Sequence, residues 1–433
     1  MRDKCRAKLI EKIGGGVAIF TSAPISIRAN DIDYEYRQDS DFYYLTGFEE
    51  PESVCVLVAN NGHSKFILFV RPRDKEREVW DGKRAGTQGA IREFGADEAY
   101  SIKQLDEILP KLLDTADKLY YSLGKEEWFD KKILRLMRYY KRMRPRSGKG
   151  PSAIIDPSEI IHEMRLFKSD EEVEVLQQAV SIAAEAHIEA MKTVRPGMFE
   201  YEIEALIEFI FRKSGATGPA YPTIVASGPN ATTLHYNSNR RRIEDGDLLL
   251  VDAGAEYRYY CSDITRTYPA NGKFTAEQKT IYNIVLGAQL AAIEMIKPGV
   301  SFIDIHNKAV EVIVDGLLRI GLLRGNSEEI IKDEGYKKFF MHRTGHWLGM
   351  DVHDVGNYKV DDQWRKIEPG MIMTVEPGIY IPEETEGVPP RYWNIGVRIE
   401  DDVLVTEEGC RVLSARVPKL VDEIESLMAQ QLG

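Results

Sequence analysis

Two acidic residues stand at the same place in two similar stretches of this chain. Residues 243–254 read IEDGDLLLVDAG and residues 367–378 read IEPGMIMTVEPG, so that Ile, Glu, Gly, Val and Gly recur in register and Asp252 falls on Glu376. Each acid closes an apolar run of strand character. Two more acids lie nearby: Asp263, inside a second strand-like run over 259–268, and Glu400, in GVRIEDD, closely flanked by Val397 and Ile399. A carboxylate buried among such aliphatic neighbours is costly without a partner, and a cation removes the cost.

Three of the chain's eight histidines crowd into MHRTGHWLGMDVHD, at His342, His346 and His353. Their spacing would share one helical face, but Gly345 and Gly349 weaken a helix and make a strand or loop at least as favoured. Four carboxylates and one neutral imidazole match the charge of two divalent ions. An oxygen-rich set of this kind suits Mn2+ or another hard divalent ion better than a structural zinc site. Two such ions can share a hydroxide and polarise a carbonyl oxygen, which is chemistry for hydrolysing an amide. A strand-end turn role would explain either repeated acid alone, but not their matched positions. If Asp252 and Asp263 face each other directly, the turn between them centres between Tyr257 and Arg258, where no Asn-Gly or Asp-Gly marks a tight hairpin.

The elements that must position these groups also repeat. Ser169 and Glu172 form a capping box ahead of Val173, Leu176, Val180 and Ala183 at helical spacing, and this helix stops before Arg195-Pro196-Gly197. Thr275 and Gln278 open a second helix through Ile281, Ile284, Val285, Ala288 and Met295, which stops before Lys297-Pro298-Gly299. Another helical stretch follows each Pro-Gly. Residues 165–270 and 271–410 therefore read as two copies of one helix, helix, strand unit, facing each other around a pseudo-two-fold axis that receives a carboxylate from each.

Ahead of them, strand-like runs at 54–58 and 66–70 and a helical stretch at 101–113 predict a small α/β domain. Its boundary falls within 151–168, giving domains of 1–160 and 165–433. The basic stretch 131–150 reads as a solvated amphipathic helix running into a Pro/Gly/Ser linker, with no function of its own.

Composition sets the outer bounds. A hydrophobic content of 43% with 29% charged residues describes a globular protein, and a net charge of −12 argues against nucleic acid as partner. The four cysteines form no CxxC pair, which points to a reducing, cytoplasmic compartment. The first residues lack the apolar core of a secretory signal, and no run is long enough to cross a bilayer, so no membrane partner is expected.

DAGAEY with Asp252, SDITRT with Asp263, HRTGHWLGMDVHD with His346, TVEPG with Glu376 and GVRIEDD with Glu400 together resemble the pita-bread metallopeptidases, which include methionine aminopeptidase, prolidase and aminopeptidase P. The stretch YRQDSDFYYLTGFEEPES, residues 36–53, is similar to the N-terminal domain of aminopeptidase P. The resemblance implies a three-layer α/β domain followed by a pseudo-two-fold pita-bread domain of α/β (α+β) class. It implies that Asp252 and Asp263 bind one of two divalent ions and His346 the other, that Asp263 and Glu400 bridge, and that Glu376 serves the shared site and takes a proton from the attacking water. By the same resemblance His235 and His353 hold substrate and tetrahedral intermediate, His342 and Arg398 belong to the catalytic surroundings, and Tyr221 and Tyr380 are substrate-binding positions. For the two tyrosines, ordinary packing is an almost equal alternative. Trp80 matches a tryptophan that a neighbouring subunit supplies to the substrate site, which would make the enzyme a homo-oligomer, dimer or tetramer; covering the small domain's core is its other reading. The implied activity is release of the first residue from peptides with proline second. The alternatives are a prolidase acting on Xaa-Pro dipeptides and a pita-bread protein without peptidase activity.

Overall fold

The runs at 54–58 and 66–70 extend into strands Val54–Asn60 and His63–Val70, paired antiparallel from Val54↔Phe69 to Asn60↔His63. The computed structural model describes residues 2–60 and 63–430. The chain separates into two units, Met1–Met164 and Arg165–Gly433.

The first unit is built on a six-stranded mixed sheet. From edge to edge its strands are Glu98–Ser101, His63–Val70, Val54–Asn60, Gly16–Thr21, Lys118–Tyr120 and Ala153–Ile155. Side chains alternate across a strand. One set, including Val17, Ile19, Val56, Ile67 and Phe69, packs against Leu105, Leu109, Phe129, Ile133 and Tyr140 of helices Leu105–Leu113 and Glu127–Ser147. The other set, Ala18, Phe20, Cys55, Leu57 and Leu68, is also buried, on the side of helix Arg2–Ile13. Three layers result.

The basic stretch is the outer face of helix Glu127–Ser147, with Lys131, Arg135, Arg138, Lys141 and Arg142 exposed. The helix does not yield to a linker at Arg144-Pro145. It runs through Pro145 to Ser147 and closes at Gly148, whose φ of 67° lets its N–H reach Arg144 O. In the last turn the bond that proline forfeits belongs to an exposed carbonyl that water can serve. Beyond it, residues 151–168 hold strand Ala153–Ile155 and helix Ser158–Leu166.

In the second unit both capping boxes form. Glu172 accepts the Ser169 N–H at 2.9 Å ahead of helix Asp170–Thr193, and Gln278 accepts the Thr275 N–H at 2.9 Å ahead of helix Ala276–Glu294. Helices Glu200–Lys213 and Phe302–Arg319 follow the two Pro-Gly pairs. Each helix pair leads into an antiparallel trio: Ile224–Ser227, Leu248–Asp252 and Thr265–Pro269 in one half, Ile372–Val375, Asp401–Val405 and Cys410–Val412 in the other. Strands Gly378–Ile381 and Ile395–Arg398 pair between the members of the second trio. None of the described helices is long and apolar enough to cross a membrane.

The hairpin of the first half differs from the simplest expectation. Asp252 pairs with Thr265, not with Asp263. The turn centres between Arg258 and Tyr259, both left-handed at φ 50° and 71°, and closes the Tyr257↔Tyr260 pair. That is the conformation usually assigned to Asn-Gly, here adopted by two residues that carry no turn signature. Moving the turn by one residue shifts the pairing by two, so Asp263 lies diagonal to Asp252 but on the same face. In the second half Val375 pairs with Asp401, which sets Glu376 and Glu400 across from each other.

Candidate metal centre

The four acids converge through four different local devices. Asp252 ends its strand, and Asp263 sits in the break between strands Tyr260–Cys261 and Thr265–Pro269. The Glu376 N–H is fixed on Thr344 O at 2.7 Å, and the Glu400 carboxylate receives the Thr265 hydroxyl at 2.6 Å. His346 approaches strand Ile372–Val375 so closely that a Cβ on the preceding Gly345 would collide with Thr374 O. The segment is a loop fastened edge-on to that strand, by Thr374 N–H to His346 O at 2.9 Å, and only glycine permits the approach.

Asp263, His346 and Glu400 each present one atom, all within 4.8 Å of one another. His346 Nδ1 donates to Trp347 O at 3.0 Å. Its Nε2 faces Asp263 Oδ2 at 3.2 Å and Glu376 Oε1 at 3.7 Å. In the neutral ring that nitrogen carries a lone pair aimed at carboxylate oxygens, an arrangement that a proton or a cation must relieve. Tyr221 poses the same demand: its hydroxyl lies 2.6 Å from Asp252 Oδ1 and 2.5 Å from Asp263 Oδ1, with one proton for two acceptors. Asp252 Oδ2 is taken by Arg398 Nη2 at 2.6 Å. The donor set of oxygens and one imidazole therefore fits a divalent metal centre.

Charge crowding shows in the titration of these groups. Burial raises the Glu376 carboxyl to about 7, against His346 and Arg398 and with help from Asp263. Burial and the charges of Asp263, Glu376 and Asp252 raise Glu400 well above the carboxylate range, and burial raises Asp252 despite Arg398. Burial opposes charge on His346, but Asp263 and Glu376 bring it up to about 9. Glu400 and His346 hold protons near neutral pH that the unfolded chain has released, and Glu376 does so in part, so their contribution to stability is lost as pH rises; Asp252 shifts in the same direction. His187 and His306, lowered to about 4 by burial, and His342, lowered to about 3 by burial and Arg398, act in the opposite sense, but only up to their unfolded pKa near 6.5. Between pH 7 and 9 the metal-free protein should therefore lose stability, by up to about 1.4 kcal/mol per pH unit for each such proton. Saturating metal should flatten the trend. Melting temperatures at pH 7, 8 and 9 check this, and a rise in the metal-free protein would contradict it.

One cavity of about 660 Å³ collects Asp252, Asp263, His346, Glu376 and Glu400 with Tyr221, His235, His342, His353 and Arg398. The rings of His346 and His353 pack edge to face at 4.4 Å. His353 precedes Asp354, which is gripped by Arg165 at 2.6 Å and Lys168 at 3.0 Å and so anchors this end of the loop. His235 lies in a turn whose neighbour Tyr236 donates to the buried Glu200 carboxylate at 2.7 Å. The structure takes one side of the two readings held open for Tyr380 and for Trp80. Tyr380 is fully buried and does not line the cavity; its hydroxyl meets His342 Nε2 at 2.8 Å and Arg398 Nη1 at 3.0 Å, bracing both from behind. Trp80 is 84% exposed on helix Lys75–Asp81, so it covers no core.

Sequence reasoning missed several participants. His306 holds Thr344 at 2.8 Å on the cavity wall, Thr265 bonds both Glu400 and Arg398, and His187 reaches Ala253 O at 3.0 Å behind Asp252. A polar residue on an otherwise apolar helix face was the available signal for His187 and His306.

Two known families match the chain: Metallopeptidase family M24 over residues 174–407 and the aminopeptidase P N-terminal domain over residues 3–120. The Xaa-Pro aminopeptidase of Escherichia coli is 44% identical over 98% of this chain and 96% of its own length. Human Xaa-Pro aminopeptidase 3 is 38% identical over 95% of this chain and 80% of its own. The solved structure of Pseudomonas aeruginosa aminopeptidase PepP superposes with a TM-score of 0.97 at 50% identity, covering 100% of this chain and 98% of that one. Escherichia coli aminopeptidase P in complex with substrate gives 0.96 at 43%, covering 99% and 98%. The helix, helix, strand repeat with its converging acids, preceded by the mixed-sheet unit, thus has its place among known proteins: the chain belongs to metallopeptidase family M24 and carries an aminopeptidase P N-terminal domain.

Proposed function

We infer that the chain is a metal-dependent Xaa-Pro aminopeptidase, releasing the N-terminal residue from peptides with proline second. The observation that carries the reading is the convergence of four acids and His346, from both halves of the repeat, in one cavity whose relatives in sequence and structure are Xaa-Pro aminopeptidases. Asp252, Asp263, His346, Glu376 and Glu400 would hold two divalent ions, with Mn2+ favoured by the hardness of the oxygen donors. Bound there, such ions supply Lewis acidity toward the scissile carbonyl.

The chain's own residues do the rest. Glu376, on the cavity wall, would take a proton on its carboxylate from the attacking water and return it to the leaving nitrogen. His235 and His353 line the cavity and would donate toward the oxygen that gains charge. Arg398 binds Asp252 and opposes the rise that burial imposes on its carboxyl, and Tyr221 fixes the distance between Asp252 and Asp263. Apolar wall residues such as Phe302, Ile305 and Met373 suit the proline ring. The exposure of Trp80 supports a role in another copy of the chain, dimer or tetramer, and the absence of a disulfide among the described residues supports a cytoplasmic location.

Mass analysis of products separates the two peptidase readings. A tripeptide with proline second should yield its first residue and an intact Pro-containing dipeptide. Cleavage confined to Xaa-Pro dipeptides would replace the aminopeptidase reading with prolidase.

A further inference from the structure

Acids crowd the floor of the cavity, whereas its outer wall carries a positioned cation. Arg343 and Trp364 both line it, and the Arg343 guanidinium lies 5.5 Å from the centroid of the Trp364 ring. The same indole receives Lys359, whose ammonium is 5.0 Å from the centroid. Contact of this kind steadies a charged side chain without neutralising it. Arg343 and Lys359 are both exposed, and among the described residues no carboxylate is within ion-pair distance of either. Trp364 is presented by the short hairpin Lys359–Val360 and Gln363–Trp364, whose left-handed turn residues Asp361 and Asp362 are exposed. Two steadied cations without counter-ions, in a chain of net charge −12, balance nothing in the fold.

The polarity of the cavity suggests their partner. A peptide is cut beside the acids at its amino end, so the remainder of the chain, ending in a carboxylate, leads away from them. Three extended residues span at most about 11 Å, and Arg343 and Trp364 line the same cavity as the acids, whose volume is about 660 Å³. Guanidinium is the side chain best matched to a carboxylate, because its planar donors meet both oxygens.

We propose that Arg343, steadied on Trp364 beside Lys359, receives a substrate carboxylate beyond the proline, making short peptides with a free carboxyl terminus the preferred substrates. This rests on the Xaa-Pro reading of the site. An acidic side chain after the proline offers the same chemistry, and the substrates below distinguish the two sources.

The test uses the metal-loaded full chain and Arg343→Met on three substrates: Xaa-Pro-Ala with a free carboxylate, its C-terminal amide, and the amide of Xaa-Pro-Glu. For the parent enzyme, KM for the free acid should be about fivefold below that for the amide, equivalent to about 1 kcal/mol, and the gap should narrow as salt is raised. Arg343→Met should remove the gap by raising KM for the acid alone, with kcat and the amide kinetics unchanged. A low KM for the Glu amide would assign recognition to any carboxylate at this distance, and a high one to the chain terminus. Equal KM values for acid and amide in the parent, or a gap that survives in Arg343→Met, would overturn the proposal. Calorimetric binding of Pro-Ala and its amide to both proteins makes the same distinction without turnover. If the parent cleaves no Xaa-Pro peptide, the peptidase reading fails, while this binding comparison still decides the role of Arg343.

Discussion

Glu376→Gln is expected to lower kcat on an Xaa-Pro tripeptide by about 10²–10⁴-fold, the range associated with losing a positioned proton acceptor. The amide keeps the volume of the carboxylate and can keep its place, because the backbone N–H bond to Thr344 O does not involve the side chain. What it loses is the basic oxygen that would accept the proton of the attacking water. The metal-free variant should not be less stable than the parent above pH 7, since a raised carboxyl is a liability there. Steady-state kinetics with melting curves check both parts. A kcat within tenfold of the parent in a metal-loaded variant would remove Glu376 from the chemistry.

Arg398→Leu should cost about 3–5 kcal/mol of stability, the effect of stripping one partner from a buried charge pair. Arg398 is 3% exposed and its guanidinium binds Asp252 at 2.6 Å, Tyr380 at 3.0 Å and the Thr265 hydroxyl at 3.2 Å. Its removal leaves Asp252 buried beside Asp263 with only the shared Tyr221 hydroxyl, and leaves Tyr380 to hold His342 alone. A loss of this size is a large part of the roughly 5–15 kcal/mol that stabilises an ordinary domain. Saturating metal should return part of it, because a cation can stand in for the guanidinium at Asp252. Arg398→Lys should fall between the two, keeping the charge but not the fork that reaches three partners. Urea unfolding with and without metal measures the difference, and a cost below about 1 kcal/mol would show that Asp252 is neutralised in some other way.

The parts of this architecture that were readable from sequence are those whose cause is local. The capping boxes at Ser169 and Thr275 need only four consecutive residues, and the Pro-Gly stops need only three. Asp252 and Glu376 stood out because a repeat makes position informative where residue type is not. The hairpin register was not readable, because Arg258 and Tyr259 adopt left-handed backbone that nothing in their chemistry announces and that the surrounding strands impose. Nor could the sequence choose among His342, His346 and His353. The choice depends on Gly345 letting one loop touch Thr374, which is a contact between segments some thirty residues apart in sequence. Tyr380 was placed on the substrate side by resemblance, whereas its hydroxyl turns inward to Arg398 and His342. Thr265 and Asp354 carried no signal at all, since a threonine in a strand and an aspartate in a loop gain meaning only from Glu400, Arg165 and Lys168.

Acids from the two halves of the repeat should build a single metal-dependent peptidase site. Turnover of an Xaa-Pro tripeptide, followed as Mn2+ is added in equivalents to metal-stripped enzyme, tests that most directly. Negligible turnover without metal, saturation at two ions per chain, and loss of both binding and turnover in Asp263→Asn are the predicted results. Full turnover by the stripped enzyme, or by Asp263→Asn, would contradict it.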